Sequence, residues 1–172
     1  MDRITPRANT KQWGPTSVGL EAERTITAIN RQQVELDAPV MCAIARNYGG
    51  ASVHKFDRTV DFEQIGIEHL RLVSEYDRDN PKDEEHAWTG ISLRNVANAW
   101  VRNVTTVHFS HGVSIGHGSR FVTVQDSACL DPVSQITGGR RYAFDMQRCQ
   151  YTLVQRCYTR HSRHAQATGS RT

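Results

Sequence analysis

The sequence predicts an all-β fold: a solenoid of about four to five rungs of stacked parallel strands, preceded by a β-hairpin. Three observations carry this expectation. The stretch ISLRNVANAWVRNV at 91–104 contains Leu93-Arg94-Asn95-Val96 and, eight residues later, Val101-Arg102-Asn103-Val104. Related tetrads recur as IEHL at 67–70, VQDS at 124–127 and VQRC at 154–157. Strand starts at Val53, Ile91, Val113, Tyr142 and Ala165 lie 22 to 38 residues apart, within the period of stacked repeats.

The elements follow in chain order. Residues 1–23 are polar, with Pro6, Gly14 and Pro15, and predict no regular element. RTITAINRQQVELD at 24–37 reads as a hairpin. Ile26 and Ala28 alternate with threonines, Asn30-Arg31-Gln32 turns, Val34 and Leu36 alternate with acids, and Asp37-Ala38-Pro39 closes it. The organisation expected is an N-terminal segment over 1–52 and rungs over 53–172. Within 91–104, Leu93, Val96, Trp100 and Val104 also fit a helical face. The β-branched residues, the three nearby asparagines and the period-two alternation of FVTVQDS favour two short strands joined at an Asn-bearing turn. The inward positions predicted are Ile67, Leu70, Ile91, Leu93, Val101, Val104, Val113, Ile115, Val122, Val124, Tyr142, Phe144, Val154 and Cys157.

Composition limits the functions open to the chain. A net charge of +3 over 172 residues is too small to argue for nucleic acid. No apolar run is long enough to span a membrane, and Met1-Asp2-Arg3-Ile4 begins no signal peptide. Of the 21 basic residues all but Lys11, Lys55 and Lys82 are arginine; arginine's planar fork suits an acidic ligand. Cys42, Cys129, Cys149 and Cys157 lack metal-ligand spacing and read as small core residues.

LRLVSEYD…NPKDEEHAW at 70–88 and GGRRY at 138–142 give the chain a family likeness. Over about residues 24–172 it resembles a bacterial branch of the right-handed parallel β-helix proteins of the pectin-lyase-like superfamily. The resemblance implies a right-handed parallel β-helix. It leaves lyase, hydrolase, epimerase and inert-spike roles open. Members are usually much longer, and Ala165-Gln166-Ala167-Thr168-Gly169 opens a new rung, so the chain reads as a C-terminally truncated fragment of a secreted or periplasmic protein. An open terminal rung presents unpaired backbone suited to end-to-end self-association.

Every rung repeats the same corners, so insertions collect on one edge. The long connections 74–90, 105–112, 128–141 and 158–164 should therefore stand side by side. They bring His86, His111, Arg140, Arg141 and His164 to one edge, with Asp131 near its middle and Arg94, Ser114 and Asp145 as a floor. Such an edge suits an acidic polysaccharide. In β-elimination of a uronate, Arg140 and Arg141 would neutralise the sugar carboxylate, His111 or His164 would take the C5 proton, and Trp88 would stack on a ring. The alternatives are a non-catalytic scaffold or glycan-binding solenoid, and a glycoside hydrolase using Asp126, Asp131 or Asp145. Asp126 is more readily a cap on local backbone. No cofactor is called for; calcium on Asp83, Glu84 and Glu85 is conceivable. The His108–His111 and His161–His164 spacings do not chelate on extended chain. Gly112-Val113-Ser114-Ile115-Gly116 matches a nucleophile-elbow pattern without its strand-turn-helix context.

Overall fold

The computed structural model describes residues 21–48 and 50–169. The expectation that residues 1–23 are irregular therefore lies almost wholly outside the described residues. The chain divides into two compact units, one ending at Arg58 and the other beginning at Thr59. The fold is all-β, with no α-helix among the described residues.

In the first unit, β1 (Ile26–Asn30) and β2 (Gln33–Leu36) pair antiparallel, with Asn30 opposite Gln33. Arg31 opens the two-residue loop at φ 54°, the left-handed conformation that tight hairpin turns require. The open end is tied by Thr25 N donating to the Asp37 carboxylate at 3.0 Å and by Arg24 donating to Pro39 O at 2.7 Å. The strand expected at Val53 does not form. Val53 lies in irregular chain and is 92% exposed, because the residues after it, His54-Lys55-Phe56-Asp57, have no period-two alternation to offer a sheet.

The second unit holds two parallel sheets. One runs in the order β13 (His164–Thr168), β10 (Tyr142–Met146), β7 (His111–Ile115), β5 (Thr89–Leu93). The other is built on β6 (Val96–Val107). On one side of β6 stand β3 (Phe62–Glu63) and β4 (Gly66–Val73). On the other stand β8 (Arg120–Gln125) and β9 (Ala128–Leu130), followed outward by β11 (Gln150–Gln155) and β12 (Tyr158–Arg160). All these pairings are parallel, and residues in register form rows across the strands. One row is Ile67, Val101, Val124 and Val154. Another is Ile91, Val113 and Phe144.

These rows make the core. Val101, Val122 and Val124 are fully buried, with Val104, Ile115, Val113 and Phe144 nearly so. Ile91 and Leu93 are buried as expected, while Ile67, Val154 and Cys157 are partly buried against the cluster. Leu70 departs from its expected inward place. It is 46% exposed although its row partner Val104 is 1% exposed, because β4 has a neighbouring strand on one side only. The cysteine expectation holds for Cys129 and Cys149, whereas Cys42 is exposed; all four thiols are free. Burial pushes the Cys129 thiol up to about 11.

Each repeated tetrad carries one left-handed residue. The third residue of each takes positive φ: His69 at 55°, Asn103 and Asp126 at 52°, and Arg156 at 50°. A second such set, Gln64, Asn98, Phe121 and Tyr151, occurs at φ between 51° and 54°. A third comprises His108, Asp131 and His161. Left-handed backbone is unfavourable for residues with a Cβ, least so for Asn and Asp. Bonds between neighbours in the set offset that cost: Asn103 Nδ2 to His69 Nδ1 at 2.8 Å, and Arg156 Nε to Asp126 Oδ1 at 2.6 Å. The expectation of two strands within 91–104 needs one amendment. Asn95, at φ 50°, lies between β5 and β6, but Asn103 bends the single long strand β6 without breaking it.

Strand β10 begins at Tyr142 as expected, whereas β5 begins at Thr89 rather than Ile91 and β7 at His111 rather than Val113. Tyr142 pairs with His111 and, one strand further, stands level with Thr89. The equivalent of Ile91 and Val113 is therefore Phe144, and the last strand begins at His164 rather than Ala165.

Candidate functional site

The register Thr89–His111–Tyr142–His164 places four consecutive strand beginnings in one row. Trp88 precedes the first. The result is a column of rings at one edge of the four-stranded sheet. Trp88 and His111 have centroids 6.1 Å apart, and His111 stacks on Tyr142 at 5.4 Å with 23° between planes. Tyr142 meets His164 at 5.2 Å. The sequence placed Tyr142 inside the core; instead it is half-buried at the start of its strand, between two histidines. The signal for this was present in TGISL, HGVSI, YAFDM and HAQAT, which align on their first residues.

Polar bonds fix the column. His111 Nε2 lies 3.0 Å from Gly139 O, which makes it the donor nitrogen. The Tyr142 hydroxyl accepts from Gly139 N at 3.1 Å and from Arg163 at 3.4 Å. Gly112, next to His111, has no room for a side chain: a Cβ there would overlap the Cys129 sulfur.

The two arginines assigned to a sugar carboxylate are both engaged. Arg140 forms a forked pair with Glu84, Nε–Oε1 at 2.5 Å and Nη2–Oε2 at 3.2 Å, and its guanidinium lies 5.8 Å from the Trp88 ring. Hydrogen bonding to Arg140 holds the Glu84 carboxyl below its ordinary value. Arg141 donates to Ser134 O from Nε at 3.0 Å and Nη2 at 2.6 Å. Its backbone N–H bonds the Ser110 hydroxyl, which in turn donates to the Ser134 hydroxyl. Ser110 and Ser134 are buried, so Arg141 anchors the 131–141 connection from within.

The remaining candidates scatter. His86 lies between Ser74 Oγ at 2.8 Å and Val133 O at 3.0 Å. Tyr76, which the sequence did not single out, contacts the rings of His86 and His108. Asp131 pairs with Arg160 and His161, and Asp126 with Arg156, so both carboxyls are held below their ordinary values chiefly by hydrogen bonds from those arginines. Asp145 is buried on the sheet, accepting from Gln147 Nε2 at 2.7 Å and from Ser114 at 3.5 Å. Arg94 is exposed, its stem over Gly116.

Asp83, Glu84 and Glu85 serve different ends rather than one cation. Asp83 is buried and accepts from Asp77 N at 3.0 Å and Glu85 N at 2.9 Å, bonds that lower its pKa. Glu84 faces Arg140 and Glu85 is exposed. Among the described residues no group of three or more His, Cys, Asp or Glu could hold a metal ion. No helix there is long and apolar enough to cross a membrane. Comparison of the chain with protein-family models, with curated proteins and with solved structures finds no match.

Proposed function

We propose that the second unit is part of a right-handed parallel β-helix of the pectin-lyase-like kind, and that its ring-bearing edge binds an acidic polysaccharide without cleaving it. In-register parallel rows and the recurrence of left-handed residues at the same place in successive repeats support the first part. The observation that carries the second is the column Trp88–His111–Tyr142–His164. Ring edges repeated from strand to strand, with centroids 5.2 to 6.1 Å apart, offer apolar surface to successive sugars. Arg163, exposed beside Tyr142, supplies positive charge for uronate groups.

Binding is preferred to elimination because Arg140 and Arg141 already have partners in Glu84 and Ser134 O. A catalytic arginine must be free to meet charge developing on the substrate. Hydrolysis is disfavoured likewise, since Asp126 and Asp131 are engaged by Arg156 and Arg160.

Affinity electrophoresis through gels containing polygalacturonate, alginate or hyaluronate tests this reading. Retardation by at least one polymer is expected. Tyr142→Ala should weaken it about threefold to tenfold, the worth of one aromatic stack. The ultraviolet absorbance of an unsaturated uronate should stay flat. Absence of retardation on all three would overturn binding, and a growing absorbance would restore elimination.

A further inference from the structure

A second surface of the same unit carries its own recognition chemistry. On β6, buried Ala97, Ala99 and Val101 alternate with Asn98, Trp100 and Arg102. These outward residues continue across the sheet. Gly66, Trp100, Thr123 and Leu153 form one row, and Glu68, Arg102, Gln125 and Gln155 the next. Glu68, Trp100, Arg102, Thr123 and Gln125 line an open depression.

Trp100 is held in this depression from two sides. Its indole overlies Gly66, where any Cβ would overlap the ring. Its Nε1–H donates to Glu68 Oε1 at 2.5 Å, and Arg102 donates to Glu68 Oε2 at 2.9 Å. Trp100 is nonetheless 39% exposed. An exposed tryptophan fixed this way loses little rotamer freedom when a ligand settles on it. Beside it, the Thr123 hydroxyl and the Gln125 amide nitrogen have no protein partner among the described residues, while Gln125 Oε1 accepts from Gln155 at 3.0 Å.

We propose that this depression binds a neutral sugar chain running across the strands, one pyranose on Trp100 and the next ones along Thr123, Gln125 and Gln155. The indole offers an apolar ring face, and the carboxylate, guanidinium, hydroxyl and amides around it are donors and acceptors for hydroxyls. These groups recur at the strand spacing of about 4.8 Å, which is comparable with the advance per residue of an extended pyranose chain. Charge selects the neutral ligand. Arg102 compensates Glu68, so the site carries no net charge and gives neither a uronate nor a cation an advantage over a neutral sugar. This site is separate from the ring column and does not rest on the proposal made for it.

The test uses a chain with Trp13→Phe and Trp88→Phe, which leaves Trp100 as the only indole. Its fluorescence is titrated with maltohexaose, cellohexaose, xylohexaose and a hexamer of galacturonate. A saturable change with at least one neutral hexasaccharide, weakened about tenfold or more by Gln125→Ala, is expected. Gln125 lies outside the core, and near-ultraviolet circular dichroism verifies that the variant keeps the fold. No saturable change with any neutral hexasaccharide overturns the proposal. So does a response confined to the galacturonate hexamer, or one indifferent to Gln125→Ala. None of these outcomes depends on the polyuronate electrophoresis, so the two sites fail separately.

Discussion

The loop edge and the face of the seven-stranded sheet use the same side-chain types in opposite ways. At the edge, arginines reach inward or sideways to hold long connections: Arg141 to Ser134 O, Arg140 to Glu84, Arg160 to Asp131. Their charge is consumed by architecture, and ring edges are what remain. On the sheet face no connection needs holding. There Arg102 and Glu68 steady Trp100 instead, and beside it the Thr123 hydroxyl and the Gln125 amide nitrogen have no protein partner among the described residues. Long insertions require internal anchors, whereas a flat sheet already has its backbone paired. The lesson is that a cluster of charged residues on a repeat's longest loops is as readily scaffold as site.

The contrast can be broken most severely at Gly112. Gly112→Val would drive a side chain into the position of the Cys129 sulfur and is expected to destabilise by about 3 kcal/mol, read as a lower denaturation midpoint. Since Gly112 follows His111, ring contacts at the edge should loosen while Trp100 fluorescence, read in the Trp13→Phe, Trp88→Phe background, keeps its native spectrum. An unchanged midpoint would mean that the edge tolerates expansion.

Arg141→Ala sharpens the comparison at intermediate cost. It removes a charged donor from the buried Ser134 carbonyl region, with a loss of about 1.5–3 kcal/mol. Hydrogen exchange should rise in 131–140 and not in β6 or β8. Equal exchange in both regions would show that Arg141 is an ordinary surface arginine, and that the edge is less self-anchored than its contacts imply.

Acid supplies the gentlest perturbation. Glu68, Glu84, Asp126 and Asp131 all have pKa values lowered first by side-chain hydrogen bonds, from Trp100, Arg140, Arg156 and Arg160 respectively. A carboxyl with a depressed folded pKa contributes stability that is complete above its unfolded value and is lost as pH falls through the folded one. The thermal midpoint should therefore be flat from pH 7 to about 5 and decline below about pH 4. The exposure of these pairs keeps the decline small. Glu68→Gln should remove part of it together with the environment of Trp100, and a decline beginning near pH 6 would implicate histidines instead.

Local pattern alone determined a good deal. The hairpin at 24–37, the β class, the parallel pairing and most of the inward valines follow from alternation and from repeated tetrads, because a residue's face in a strand is set by its neighbours two places away. The tetrads even mark the left-handed positions, since Asn103 and Asp126 tolerate that backbone better than most residues. Other features depended on register between strands, which insertions of unequal length conceal. Tyr142 looked inward until pairing with His111 placed it in the row of strand beginnings. Leu70 looked inward until the sheet ended beside it. Arg140 and Arg141 looked free until loops 56 and 7 residues away in sequence brought Glu84 and Ser134 O to them. Trp100 read as one apolar position among many, and only the absence of a Cβ at Gly66, on a strand 34 residues earlier in register, turned it into a fixed, exposed ring. Which face a side chain takes is a local property; which groups it meets there is decided by the chain that returns beside it.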